Sequence, residues 1–184
     1  PVASQKYQSI TLSGAVSSAN DAFLAPLQAG LVDKLFVEVG DHVQQGQPLL
    51  TLDSKLAELA LQQAEAELEV GTVAYNEAER LLNEVDALSQ QQLAAKTLFQ
   101  QRKAEVANAK AELARLKATL ALRKEIVARH TLKAPFDGVI YQRDVDVGEW
   151  VEPTTAVLGL VSQQAKRLTI EVPQEYYSYF TNLN

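Results

Sequence analysis

Apolar residues in the middle of the chain recur at alternating steps of four and three. One series runs Ala57, Leu61, Ala64, Leu68, Gly71, Tyr75, Ala78, Leu82, Val85. A second runs Ala95, Phe99, Arg102, Val106, Ala109, Leu113, Leu116, Leu120, Arg123, Val127. Sustained 3–4 spacing marks a coiled-coil seam. The small residues in it allow two helices to approach closely, and Arg102 and Arg123 are expected to carry their charged heads to water at its edge. A break is expected near Asp86–Ser89, with Ser89 as the cap of the second helix and Gln92 at the capping-box position. The spacing therefore predicts helices over about 54–86 and 89–129, roughly 50 and 60 Å long at 1.5 Å per residue. A short connection makes them antiparallel. Asp53-Ser54 is the expected start of the first.

The pattern changes on both sides of this segment. Residues 54–129 contain no proline and only Gly71, whereas 1–53 and 130–184 hold the remaining glycines and every proline. The flanks favour strands and turns, and they repeat each other. Ala25-Pro26, Gly30, Val37-Glu38-Val39-Gly40, Val43 and Pro48–Leu52 precede the helices. Ala134-Pro135, Gly138, Val145-Asp146-Val147-Gly148, Val151 and Ala156–Val161 follow them. Gly30 to Gly138, Gly40 to Gly148 and Val43 to Val151 keep one separation, and a gap of one residue aligns the Ala-Pro pairs. Val37/Val39 and Val145/Val147 are expected to share one face. One copy leaves its apolar face open. Two copies packed face to face would close a small sandwich, brought together because antiparallel helices of similar length return the chain to where it left.

Composition narrows the function. Apolar residues make up 47% of the 184, and the formal net charge is -6, so no basic groove for nucleic acid is suggested. There is no cysteine, hence no disulfide, thiol nucleophile or thiolate metal site. His42 and His130 are too few for a metal cluster or a charge-relay site; His42, in an expected turn, reads as a solvated surface residue. Asp144, Asp146 and Glu149 read as an exposed strand face rather than paired catalytic carboxylates. No phosphate-binding glycine motif is present. No metal and no cofactor is expected. Trp150 is expected to pack at the edge of the β-domain.

Residues 30–49 carry Gly-x-Val-x-x-Leu-x-Val-x-x-Gly-Asp-x-Val-x-x-Gly-Gln-x-Leu, and this resembles the first half of a biotinyl/lipoyl domain. Leu132–Ile140 with Val147-Gly148-Glu149-x-Val151 resembles the second half. A lipoyl domain split by a helical hairpin resembles the periplasmic adaptor, or membrane fusion protein, family of efflux pumps. Tyr7–Val16 and Arg167–Glu175 resemble two strands of that family's β-barrel.

The resemblance implies an α+β fold: a split lipoyl-like β-sandwich interrupted by a long antiparallel coiled-coil hairpin, plus part of a β-barrel domain. The divisions are 1–20 (first strand region of an incomplete barrel), 21–53 (lipoyl half one), 54–129 (hairpin, tip about 84–92), 130–163 (lipoyl half two) and 164–184 (returning barrel strand region). Gly30, Gly40, Gly46, Gly138 and Gly148 are taken as structural turns of the lipoyl halves. The implied role is non-enzymatic: bridging an inner-membrane transporter, with an RND-type partner favoured, to a TolC-type outer-membrane channel. An ABC or MFS exporter or a type I secretion system is the alternative. Self-association into a ring, a hexamer in the assembled pump, is implied, as is a periplasmic location with an inner-membrane anchor on a segment absent from this chain. Multidrug rather than metal export is favoured, because methionine is absent and histidine scarce.

By that resemblance the hairpin tip docks on the channel, and Arg80, Leu81, Leu82, Val85, Leu88, Ser89 and Leu93 are the nearest match. Aligning on Leu82 and Ser89 instead puts Ala78 at the family's arginine position. Four of them also have a plainer reading: Arg80 pairing with Glu84 one turn on, Leu82 and Val85 closing the seam, Ser89 capping; Leu81 and Leu88 lie off the seam and are the better docking candidates. A lipoyl-type carrier is a further alternative, but the turn that would present its lysine is replaced here by the hairpin, with Lys55 on a helix.

Overall fold

Two four-stranded sheets enclose the core of the β-domain, and each draws strands from both halves of the chain. The computed structural model describes residues 13–18, 20–90, 96–162 and 166–172. In chain order the elements are β1 (Gly14–Ser18), β2 (Asp21–Leu24), β3 (Gly30–Leu35), β4 (His42–Val43) and β5 (Pro48–Leu52). Then come α1 (Lys55–Gln90) and α2 (Lys96–Ala128). β6 (Thr131–Lys133), β7 (Gly138–Arg143), β8 (Trp150–Val151), β9 (Leu158–Val161) and β10 (Lys166–Ile170) follow. One sheet has the order β2-β9-β7-β4 and the other β6-β5-β3-β8, with every pairing antiparallel.

The repeat seen in the sequence is thus a pseudo-twofold. The two copies do not form one sheet each and then stack, as the repeat by itself suggests. Each copy supplies the central pair of one sheet and the edges of the other. The reason is pairing: the short β4 and β8 find their ladders on β7 and β3 of the opposite copy. The crossings match bond for bond. Gly40 N–H donates to Ile140 O at 2.8 Å, and Gly148 N–H to Val32 O at 2.9 Å. Ile140 N–H donates to Asp41 O, and Val32 N–H to Glu149 O. Even the turn side chains repeat. Asp41 accepts from the Glu38 N–H and Glu149 from the Asp146 N–H.

Buried positions follow the same offset of 108 residues, as from Gly30 to Gly138: Leu24 with Leu132, Val32 with Ile140, Val37 with Val145, Val43 with Val151, Leu50 with Leu158 and Leu52 with Leu160. The offset holds without a gap through β2 and β6, so Pro26 occupies the place of Ala134, and the two Ala-Pro pairs are one residue out of step. Each fully buried Leu or Ile contributes roughly 1.5–3 kcal/mol of transfer free energy.

Two local expectations are corrected. Val37 and Val145 are buried while Val39 and Val147 are exposed, because the chain turns there before Gly40 and Gly148 instead of continuing as strand. Gly40, Gly46 and Gly148 have positive φ and are turn glycines. Gly30 and Gly138 open strands β3 and β7 instead of turning the chain; at Gly138 the backbones approach closely, and a Cβ there would collide with the Val161 carbonyl oxygen.

The hairpin leaves β5 and returns into β6, which pair with each other, and Leu52 N–H donates to His130 O at 2.8 Å. The rod therefore stands on one point of the sandwich. Asp53 accepts from the Lys55 N–H and caps α1, while the Ser54 hydroxyl donates to Glu58. Along the seam Ala64, Gly71, Val85 and Leu116 are buried, and the other described seam positions are half-buried except Arg123. Arg102 turns to Glu105 at 2.7 Å, and its Nε is buried without a partner rather than carried to water.

α1 continues to Gln90, beyond the expected end at residue 86. No glycine or proline interrupts it there, and the Gln90 amide donates to Asp86 one turn back. Ser89 is consequently inside α1 and does not cap the second helix. α2 starts at Lys96, so the two helices span 36 and 33 residues, roughly 54 and 50 Å. Gln92, Leu93 and Ala95 lie outside the described residues.

β1 and β10 form a separate two-stranded ladder, Gly14 opposite Ile170 through Ser18 opposite Lys166. It is tied to the sandwich by the Ser18 hydroxyl, which donates to Ser162 O at 2.7 Å. Tyr7–Leu12 and Pro173–Glu175, also read as barrel strands, lie outside the described residues.

Candidate functional site: the end of the hairpin

The far end of α1 is one continuous helical surface. Its last turns place Arg80, Glu77 and Glu84 on one exposed strip. Arg80 Nη2 lies 2.8 Å from Glu77 Oε1, and Nη1 lies 3.2 Å from Glu84 Oε2. The arginine thus makes the helix pair anticipated with Glu84 and a second, bidentate pair with Glu77. Its hydrogen bonds hold the Glu77 carboxyl below the usual carboxylate range, and the two carboxylates keep the guanidinium charged. The head remains well exposed, so it can exchange these partners for groups on another protein at little cost, since exposed ion pairs contribute about 0–1 kcal/mol.

The leucines divide. Val85 is buried and Leu82 half-buried on the seam; Leu81 is half-buried beside it; Leu88 is 41% exposed. Ser89 is half-buried in the last turn of α1. The structure brings Arg80, Leu81, Leu88 and Ser89 to the same end of one helix. Leu93 lies outside the described residues.

Residues considered for chemistry are dispersed. His42 is exposed on β4, and His130 sits at the hairpin base with Nδ1 2.8 Å from Ile126 O. Asp144, Asp146 and Glu149 are exposed, in a turn rather than on a strand. Asp146 pairs with Arg143, which also reaches Glu38. Among the described residues no group of three or more His, Cys, Asp or Glu is placed to hold a metal ion. Trp150 is 64% exposed on the edge strand β8, less packed than expected. Lys55 begins α1, its backbone N–H taken by Asp53. None of the described helices is long and apolar enough to cross a membrane.

One feature escaped the sequence reading: a groove midway along the hairpin, lined by Gln63, Ala66, Val70, Ala74, Arg115 and Leu116. The signal was present in α1 as a second apolar series, Leu56, Leu59, Ala66, Val70, Val73, running off the seam.

Comparison with known proteins gives the same architecture. Residues 20–162 match the family model described as the CzcB-like, barrel-sandwich hybrid domain. An uncharacterized protein of Haemophilus influenzae is 28% identical over 166 residues, covering 90% of this chain and 40% of that protein. The cobalt-zinc-cadmium resistance protein CzcB of Cupriavidus metallidurans is 28% identical over 144 residues, covering 76% of this chain and 27% of that protein. The chain thus spans less than half the length of these relatives. Among solved structures, the membrane fusion protein Spr0693 of Streptococcus pneumoniae superposes with TM-score 0.69 at 21% identity over 96% of this chain and 72% of that one. A MacA–MexA chimera carrying the Pseudomonas aeruginosa MexA α-hairpin gives 0.68 at 21% identity, over 91% and 56%.

Proposed function

The chain belongs to the CzcB-like barrel-sandwich hybrid family of membrane fusion proteins, and from that premise we propose that it is the periplasmic adaptor part of an efflux pump. It bridges an inner-membrane transporter, of RND type in the favoured reading, and a TolC-type outer-membrane channel. Copies assemble side by side into a ring, six in the complete pump, and no covalent chemistry takes place on the chain.

The observation that carries this reading is mechanical. Both ends of the hairpin are stitched into one sandwich by the β5–β6 pairing, so a rod of roughly 50 Å is held at a single base and offers its far end for docking. Arg80, Leu81, Leu88 and Ser89 are the described groups at that end. An apolar side chain left 41% exposed at a helix end, as Leu88 is, fits a contact surface with another protein.

For cargo, the relatives named CzcB are called cobalt-zinc-cadmium resistance and cation efflux proteins. Divalent metal cations are therefore the first cargo to test, ahead of the multidrug cargo that composition suggested.

The test is export by the full-length protein in a host strain lacking it, read as survival and cellular content under zinc, cobalt or cadmium and under organic drugs. Leu88→Asp is expected to abolish export while the protein stays folded and at normal level. Normal export by Leu88→Asp and by Leu81→Asp removes the hairpin end as the docking site.

A further inference from the structure

The pseudo-twofold of the sandwich runs through a cleft. β2 is an outer strand of one sheet and β6 of the other. A cleft of 530 Å³ lies between them, bounded at the hairpin base by Ala128 and Arg129 of α2. Its two walls correspond at the offset of 108 residues, as from Gly30 to Gly138: Phe23 with Thr131, Ala25 with Lys133 and Leu27 with Pro135.

Both walls are strand edges. Val157 N–H donates to Leu24 O and Ser162 N–H to Asn20 O, and Ala22 lies opposite Leu160. These positions of β2 are therefore turned to β9. Alternation along an antiparallel strand turns the N–H and C=O of Asp21 and Phe23 the other way, to the open edge. On β6, Leu52 N–H donates to His130 O and Gly46 N–H to Ala134 O, so Thr131 and Lys133 face outward in the same manner. Among the described residues no strand pairs with either edge.

The two edges are finished differently. β6 carries exposed Lys133, the kind of charge that blunts an edge against pairing. β2 has Ala25 at the corresponding place, with Phe23 64% and Leu27 59% exposed on either side of it. The core does not ask for this difference, because Leu24 and Leu132 beneath the two walls are an equivalent buried pair. Charge at the cleft is also uneven. Arg129 is held by Glu125 at 2.8 Å, whereas Lys133 is in no ion pair among the described residues.

The geometry points to β2 as an acceptor edge for an extended segment of a partner protein, apolar with an acidic residue. The segment adds to the four-stranded sheet as a further strand, exchanging hydrogen bonds with the outward backbone groups of Asp21 and Phe23. Its apolar side chains cover Phe23 and Leu27. Its acidic side chain reaches Lys133 across the cleft, and this free cation selects the segment by charge. A row of unpaired donors and acceptors at strand spacing calls for another strand, not for a compact small molecule. The site does not depend on the pump proposed above, and binding to it is measured without export.

The probe is a fluorophore-labelled peptide, Val-Glu-Val-Glu-Val-Glu-Val, added to the full-length protein and followed by anisotropy. Hydrogen exchange at residues 21–25 and 131–133 maps the contact. The peptide is expected to bind and to slow exchange at Phe23. Its lysine counterpart should bind roughly tenfold or more weakly. The glutamate peptide with its backbone nitrogens methylated should lose binding by a similar factor, since it can no longer donate. Lys133→Glu, at an exposed position, should reverse the preference between the two peptides, and Lys133→Gln should level it; helicity checks that both variants fold.

Equal binding of the two peptides by wild type, or an unchanged preference in both folded variants, overturns the acidic partner. Undiminished binding of the methylated peptide, or binding that leaves exchange at residues 21–25 unaltered, overturns strand addition. Absence of binding at millimolar peptide with Phe23 exchanging freely overturns the site. Slow exchange at Phe23 before any peptide is added gives the edge to a second copy if it depends on protein concentration. If it does not, the edge belongs to another segment of the same chain, and either result overturns a partner protein as the occupant.

Discussion

Gly71 of α1 lies directly against Leu116 of α2, and a Cβ at Gly71 would collide with Leu116 Cδ1. Both are buried, at the midpoint of the seam. Glycine inside a helix costs about 1 kcal/mol relative to alanine. At this position the missing side chain is what lets Leu116 reach the opposite backbone.

Substitution there sets two effects of similar size against each other. Gly71→Ala gains about 1 kcal/mol of helix propensity and loses a comparable amount if the end of Leu116 has to move. Its thermal midpoint is expected to stay close to wild type. Gly71→Val cannot be accommodated by one methyl shift and should cost about 1–3 kcal/mol from overpacking. Thermal unfolding followed by helicity checks both, and a Gly71→Val protein as stable as wild type would show that the helices are further apart than the structure has them.

The pairing of opposed residues also predicts how the rod tolerates shortening. Residues 68–74 and 113–119 face each other around Gly71 and Leu116. Removing both segments deletes one heptad from each helix and should leave the seam in register, with the rod about 10 Å shorter and the sandwich intact. Removing only one of them puts the helices out of step where they enter β6 or leave β5. Comparing the two deletions by helicity, unfolding and small-angle scattering distinguishes them.

In the sandwich, Leu50 and Leu158 hold equivalent central places, and both are essentially inaccessible. Leu50→Ala and Leu158→Ala are each expected to cost about 2–5 kcal/mol, and by similar amounts, since one lies on β5 and the other on β9 at the same distance from the pseudo-twofold. Denaturant unfolding of the two variants measures this. A large effect from one and none from the other would contradict the equivalence.

The hairpin should loosen in acid. Glu77, Glu105 and Glu112 are held below the usual carboxylate range, in each case chiefly by hydrogen bonds from Arg80, Arg102 and Arg115 respectively. Unfolded, these carboxyls titrate near pH 4.3 or so. A carboxyl whose folded value is depressed adds stability that is complete above its unfolded value and disappears as pH falls through the folded one. Helicity and thermal midpoint should therefore be level from neutrality down to about pH 5 and decline below it. A decline that is complete above pH 5 would point to other groups.

Much of this architecture was legible in the chain. The 3–4 stepping located both helices and nearly all seam residues, because a helix side chain is buried or exposed according to a fixed period. The matched spacing of Gly40 with Gly148 and of Val43 with Val151 announced two related halves. Local signals misplaced the first helix end: Ser89 has the right chemistry for a cap, but a helix with no breaker runs on through it. Val39 and Val147 continue an alternation by type while the backbone has already turned, and periodicity cannot sense that.

The sequence alone determined a rod of two seamed helices set between two copies of one β-unit, since periodicity and repetition are properties of the chain. Tertiary structure decided that these copies interleave, each lending edge strands to the other's sheet. That outcome depends on which backbone donors meet which acceptors across about a hundred residues, as Gly40 with Ile140 and Gly148 with Val32 do, and hydrogen-bond partners so far apart leave no mark in local pattern.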